Sequence, residues 1–106
     1  MSLIAEHCQS IAAGTPALSP EEATALAAQT PQWTLADNAL RADFAFKDFR
    51  EALAFVNQVA IIAEQERHHP DIEISYNKVR LALTTHKIGG LSRNDFIVAA
   101  KIDLLR

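Results

Sequence analysis

Three of the four histidines of this chain fall between Glu64 and Asp95, and two of them are adjacent: EQERHHPDIEISYNKVRLALTTHKIGGLSRND. An imidazole, with an ordinary pKa of roughly 6.5, is the side chain best suited to giving and taking protons near neutral pH. His68, His69 and His86 are therefore the candidates for general acid and base work, and two imidazoles held close together titrate as a pair. Glu64 lies one helical turn before His68 and is expected to orient it, while Asp95 is read as a helix cap that can also serve a pocket. Thr84 would add a hydroxyl on the same face as His86. Trp33 is read as a core residue that could instead wall a flat heterocycle.

The elements that must position these groups follow from local rules. A residue before proline is driven out of the α region, so Pro70 ends any helix arriving at His68-His69. Beyond it, Ile72, Ile74 and Tyr76 occupy even positions and Val79, Leu81 and Leu83 odd ones, a break in phase that predicts a hairpin turning at Asn77-Lys78. That register sets Tyr76 opposite Val79, Ile74 opposite Leu81 and Ile72 opposite Leu83, with Tyr76 on the core side. Extended outward, it sets His69 opposite His86, 17 positions later, on the face the apolar set leaves open. One long strand with a bulge is the other reading of the same residues.

Upstream, Ser19-Pro20-Glu21-Glu22 has the makings of a capping box with proline at the first helical position, for a helix of about ten residues limited by Pro31. A first hairpin turns at Asp37-Asn38, with Leu40, Ala42, Phe44 and Phe46 alternating against Arg41, Asp43 and Lys47. Asp48, with Glu51 three residues on, begins the main helix. Phe49, Leu53, Val56, Ala60 and Ala63 make one stripe of it and Phe55, Val59 and Ile62 another. A face so broad makes this helix either the central one or one also covered by a second helix or a second subunit. Ser92 and Asp95 cap a terminal helix carrying Phe96, Ile97, Ala100 and Leu104. Before all this, Ile4, Cys8 and Ile11 suggest a short surface helix or tail closed by Gly14.

The order helix, hairpin, helix, hairpin, helix predicts an α+β domain: a four-stranded antiparallel sheet with helices packed on one face. A chain of 106 residues is expected to form one domain, 1–106. With 49% apolar and 22% charged residues it is of globular composition. A net charge of −3 gives no electrostatic case for nucleic acid or an anionic membrane. One cysteine, no leader-like N-terminus and no spanning apolar run point to the cytoplasm. Zinc is the rival chemistry, through the three histidines with Glu64 or Asp95, or through His7-Cys8. Neighbouring histidines on an extended segment point to opposite faces, however, and His7-Cys8 has no second half nearby, so no metal site is expected.

The spacing from Glu64 through His68-His69-Pro70, Tyr76 and His86 to Asp95 resembles the signature of the pterin-4a-carbinolamine dehydratases. The likeness extends from about Leu18 through FAFKDFREALAFVNQVA to GLSRNDFIVAAKID, with 1–17 outside it as a variable extension. The resemblance implies an enzyme that dehydrates 4a-hydroxytetrahydrobiopterin to quinonoid dihydrobiopterin after an aromatic amino acid hydroxylase has acted. It implies His68, His69 and His86 as active-site histidines, Asp95 as an accompanying carboxylate, no metal or organic cofactor, and a homodimer or homotetramer. Either His68 or His86 would be the acid for the departing hydroxyl, with His69 binding the pterin or assisting proton transfer. Some animal relatives also act as dimerisation partners of a homeodomain transcription factor, so a protein-binding module of the same fold is the alternative.

Overall fold

The structure is a computed structural model that describes residues 2–105. Its elements run α1 (Pro20–Ala27), β1 (Thr34–Ala36), β2 (Ala39–Ala45), α2 (Phe49–Glu66), β3 (Asp71–Ser75), β4 (Lys78–Leu83) and α3 (Arg93–Asp103), with short 3-10 turns at Leu3–Ala5 and His86–Ile88. The four strands form one antiparallel sheet in the order β1-β2-β4-β3. This is the α+β architecture expected from the residue patterns.

Local chemistry explains each boundary. The Ser19 hydroxyl accepts the Glu22 N–H at 3.1 Å while the Ser19 N–H donates to Glu22 Oε1 at 2.9 Å, a reciprocal cap with Pro20 at the first helical position. Asp37 and Asn38 turn the first hairpin with φ of 51° and 61°, the left-handed pair that matches the twist of the strands they join. Asp48 caps α2 by accepting the Glu51 N–H at 2.9 Å. α2 ends at Glu66 because Arg67 enters the left-handed region at φ 55° and returns its N–H to Ala63 O. The extended His69-Pro70 step then follows outside the helix.

Across β2 and β4, Leu40 faces Leu83, Ala42 faces Leu81 and Phe44 faces Val79, and all six are buried on one face. The alternate residues Arg41, Asp43 and Arg80 face solvent. α2 buries Ala52, Phe55, Val59, Ala63 and Glu66, spaced three and four apart so that they share one side. α3 is buried almost all round, from Asn94 to Ala100 and at Ile102. Thus α3, not α2, is the central helix. The first α2 stripe is largely open, with Phe49, Leu53 and Ala60 exposed, and Ile61 beside it is exposed as well.

The second hairpin differs from its expected register by two residues. The turn is Tyr76-Asn77, and Ile72 faces Leu81 while Ile74 faces Val79. The cause lies in the neighbouring strand. The Phe46 N–H donates to Asn77 O at 2.8 Å and the Asn77 amide donates back to Phe46 O at 2.9 Å, so Asn77 is spent extending the β2–β4 ladder. Tyr76 takes the left-handed turn position instead, at φ 54°, and is exposed rather than core. The N-terminal stretch differs too: it has only the 3-10 turn at Leu3–Ala5, with Leu3 buried, and it packs along α3 rather than standing off as a surface helix or tail.

Candidate active site

The end of α2 and the start of α3 come together at one carboxyl group. Asp95 exposes no surface. Its Oδ2 accepts the Ser92 backbone N–H and the Thr85 hydroxyl, each at 2.9 Å, and its Oδ1 lies 2.5 Å from Nε2 of His68. The Thr85 and Ser92 hydroxyls also meet each other, at 2.7 Å. With Oδ2 already accepting twice, the His68 imidazole is the natural donor to Oδ1. The carboxyl group therefore fixes the ring and its tautomer and leaves Nδ1 as the nitrogen available to a ligand, the logic of a base oriented by a third group. Asp95 is both the cap of α3 and the anchor of the histidine.

His69 points elsewhere. Its Nε2 lies 2.5 Å from Oε2 of Glu64, and both side chains are largely in solvent. Glu64 was expected to orient His68; it pairs with His69 because the left-handed Arg67 swings the His68 ring away from α2 and onto α3. His86 sits in the 3-10 turn after β4 rather than opposite His69 in a ladder, since β3 begins only at Asp71. Its imidazole is exposed and makes no hydrogen bond among the described residues. The strand pairing of His69 with His86 is thus not what joins them. What joins them is a cavity of about 610 Å³ lined by His68, His69 and His86 together with Thr84 and Thr85.

Thr84 does line this cavity, with its hydroxyl donating to Asn38 O at 2.8 Å. Pro70 does not line it; its part is to hold His69 extended. Trp33 is absent from the wall. It is buried edge-on against Phe44, with centroids 6.1 Å apart, and its indole N–H donates to Asp103 at 2.8 Å. That contact draws its polar edge to the far end of α3, so it serves the core. Burial pushes the Asp103 carboxyl above its ordinary range, and the Trp33 N–H only partly opposes this.

Sequence reasoning missed Glu66, Asn94 and the segment from Cys8 to Ile11, all of which line the cavity. Burial drives the Glu66 carboxyl upward, but the Cys8 N–H, His7 and Lys101 together outweigh it and hold the group below its usual range. Cys8 is the opposite case. Burial, then Glu66 and Asp95, push its thiol up to about 12, which disfavours the thiolate near neutral pH. No three His, Cys, Asp or Glu side chains among the described residues are grouped to hold an ion. The only earlier signal for Glu66 was a carboxylate at the α2 position where the buried stripe continues.

A sequence profile described as pterin 4 alpha carbinolamine dehydratase matches residues 16–105. A protein of Nitrosomonas eutropha, provisionally named pterin-4-alpha-carbinolamine dehydratase, is 50% identical over 99 residues, which cover 92% of this chain and 88% of that protein. One of Nitrosospira multiformis, with the same provisional name, is 48% identical over 103 residues, 97% of this chain and 91% of its own. Among solved structures, a protein of Brucella melitensis described as transcriptional coactivator/pterin dehydratase matches with a TM-score of 0.80 and 32% identity, over 84% of this chain and 97% of that one. A pterin dehydratase-like protein described as a RuBisCO assembly factor in the alpha-carboxysome, 24% identical with a TM-score of 0.57 over 69% of this chain and 84% of its own, shares the fold.

Proposed function

Since the chain belongs to the pterin 4 alpha carbinolamine dehydratase family, we propose that it removes water from 4a-hydroxytetrahydrobiopterin or a close analogue, giving the quinonoid dihydropterin. The observation that carries this reading is the cavity shared by His68, His69 and His86, with one imidazole locked by a fully buried carboxyl group.

The chemistry needs one proton delivered and one removed. The 4a-hydroxyl leaves as water when an acid protonates its oxygen and the C4a–O bond breaks with its electron pair. The N5 lone pair forms the N5=C4a double bond, and the N5 proton passes to a base. His68, presenting Nδ1 from a ring fixed by Asp95, and His86, unencumbered in its turn, take these two transfers. Each such transfer is typically worth about 10²–10⁴-fold. His69, tied to Glu64, holds the pterin or relays a proton. The proposed reaction draws on no metal or organic cofactor.

The test is to supply freshly formed 4a-hydroxytetrahydropterin and follow quinonoid product against the spontaneous background. Acceleration by purified protein supports the reading, and none overturns it. An aromatic amino acid hydroxylase is the reaction partner this activity serves, and the cytoplasm its expected place. Among the described residues no helix is long and apolar enough to cross a membrane. We also propose a homodimer or homotetramer, because Phe49, Leu53 and Ile61 on α2 and Ile72 and Ile74 on β3 leave apolar surface uncovered. A monomer by light scattering at micromolar concentration would sink that part. The same surface favours the second reading, a protein-binding module, in which turnover would be absent while a partner still binds.

A further inference from the structure

Residues 3–11 lie outside the matched stretch, which starts at residue 16, yet they are fastened to both helix ends that carry the site. The Arg93 guanidinium donates to the two Glu6 oxygens at 2.7 and 2.6 Å. Glu66, whose side chain is 5% exposed, accepts the Cys8 N–H at 2.8 Å and pairs with His7 at 2.9 Å and Lys101 at 3.5 Å. The Asn94 amide clamps Gln9 from both sides, accepting its N–H at 3.0 Å and donating to its carbonyl at 2.8 Å. Glu66 stands two residues before His68 and Asn94 one before Asp95. The strap and the histidine are therefore positioned by the same two turns.

Past Gln9 the chain runs along the cavity as Ser10 and Ile11. Around that cavity the described side chains are imidazoles, hydroxyls, amides, charges and the Cys8 thiol, and Ile11, half-buried, is the one large aliphatic group among them. Pockets for flat heterocycles combine a few placed polar groups with apolar packing surface. Here the histidines supply the first and the strap the second. Resting on the pterin reading above, we infer that Cys8–Ile11 is a wall of the active site and that Ile11 is a substrate-contacting residue that sets affinity for the reduced pterin, with Asn94 and Glu66 as positioning residues for it. Ile11 has no proton to give or take, so its effect falls on binding and not on the chemical step.

The experiment compares Ile11→Ala, Ile11→Leu, Asn94→Ala and the Asn94→Ala/Ile11→Ala double variant with the whole chain. It measures KM and kcat with 4a-hydroxytetrahydropterin and, separately, Kd for the stable 7,8-dihydrobiopterin by fluorescence. Removing three half-buried carbons in Ile11→Ala is expected to raise KM and Kd about tenfold with kcat within about twofold. Ile11→Leu should stay near wild type. In the Asn94→Ala background, with the tie nearest Ile11 cut and those to Arg93 and Glu66 still in place, the further loss of Ile11 should raise KM and Kd by less than it does in the otherwise unchanged chain. A folded Ile11→Ala protein with wild-type KM and Kd overturns the inference, as does a loss of kcat and thermal stability with KM unmoved, the signature of a mere brace. If the whole chain neither binds dihydrobiopterin nor turns over, the pterin reading itself fails and this inference with it. If the whole chain turns over and Ile11→Ala is indifferent, only the strap fails.

Discussion

Replacing Asp95 with Asn keeps the shape of the side chain and removes one acceptor, and the structure says what that costs. Three donors converge on a group with no exposed surface: His68 Nε2 on Oδ1, and the Ser92 N–H with the Thr85 hydroxyl on Oδ2. An amide has a single acceptor oxygen and two N–H donors. If its oxygen faces His68, its NH₂ opposes the Ser92 N–H and leaves a buried backbone donor unpaired. If its oxygen faces Ser92, its NH₂ opposes His68 and the ring must change tautomer or turn away. One buried donor stripped of a charge-assisted partner costs about 2–3 kcal/mol, equivalent to a Tm lower by roughly 10–20 °C in a domain of this size. The proposed turnover should fall about 10²–10⁴-fold, because His68 loses its fixed orientation. Urea unfolding gives the first number and the dehydratase assay the second. Wild-type midpoint and wild-type turnover together refute the reasoning. Lost turnover at unchanged stability refutes the hydrogen-bond accounting alone.

Other expectations follow from the same coordinates. His86→Ala should leave the urea midpoint within about 0.5 kcal/mol of wild type, as for an exposed side chain, while turnover drops about 10²–10⁴-fold; unchanged turnover would remove it from the site. Glu66 is held below the usual carboxylate range in the fold, so its contribution is present above the ordinary pKa of about 4.3 and is lost as pH falls through the lower folded value. Unfolding measured from pH 6 to pH 3 should therefore lose stability more gently in Glu66→Gln than in wild type, and parallel curves would contradict this. At Gly90 an added Cβ would lie 2.8 Å from the Ala17 Cβ. Gly90→Ala should cost about 1–3 kcal/mol by overpacking, and Ala17→Gly in the same chain should recover most of it; no recovery would place the strain elsewhere.

The elements of this fold were legible because each carries its own local signal. The Ser19 box, the Asp37-Asn38 turn and the Asp48 cap are decided by residues within four positions of one another, and each appears where the spacing put it, whereas α2 ends at Glu66, just short of the Pro70 boundary, through the left-handed Arg67. The second hairpin was misplaced because its register is decided at long range. Asn77 looked like the turn residue on local grounds, but Phe46, 31 positions earlier, claims its carbonyl and amide. A slip of two kept the apolar face intact, so the pattern of Ile72, Ile74, Leu81 and Leu83 gave no warning. Trp33 is ambiguous by type, and only the Asp103 contact decides it.

The site divides along the same line. Residue type singled out His68, His69 and His86, and the resemblance added Asp95, but the register that set His69 opposite His86 was wrong, and which carboxyl holds which imidazole was not readable. Glu64 is the nearer candidate for His68 in sequence, but one left-handed residue, Arg67, redirects the chain and exchanges the partners. The strap was invisible for a further reason: nothing in His7-Cys8-Gln9 specifies a contact with Glu66 and Asn94 some 58 to 85 residues away. Its consequence is physical. Two buried polar side chains, Glu66 and Asp95, stand at the adjoining ends of α2 and α3; one draws in the N-terminal segment and the other draws in His68. Neither side chain can leave without stranding the donors it collects, so the wall and the imidazole are held in one fixed relation before any ligand arrives.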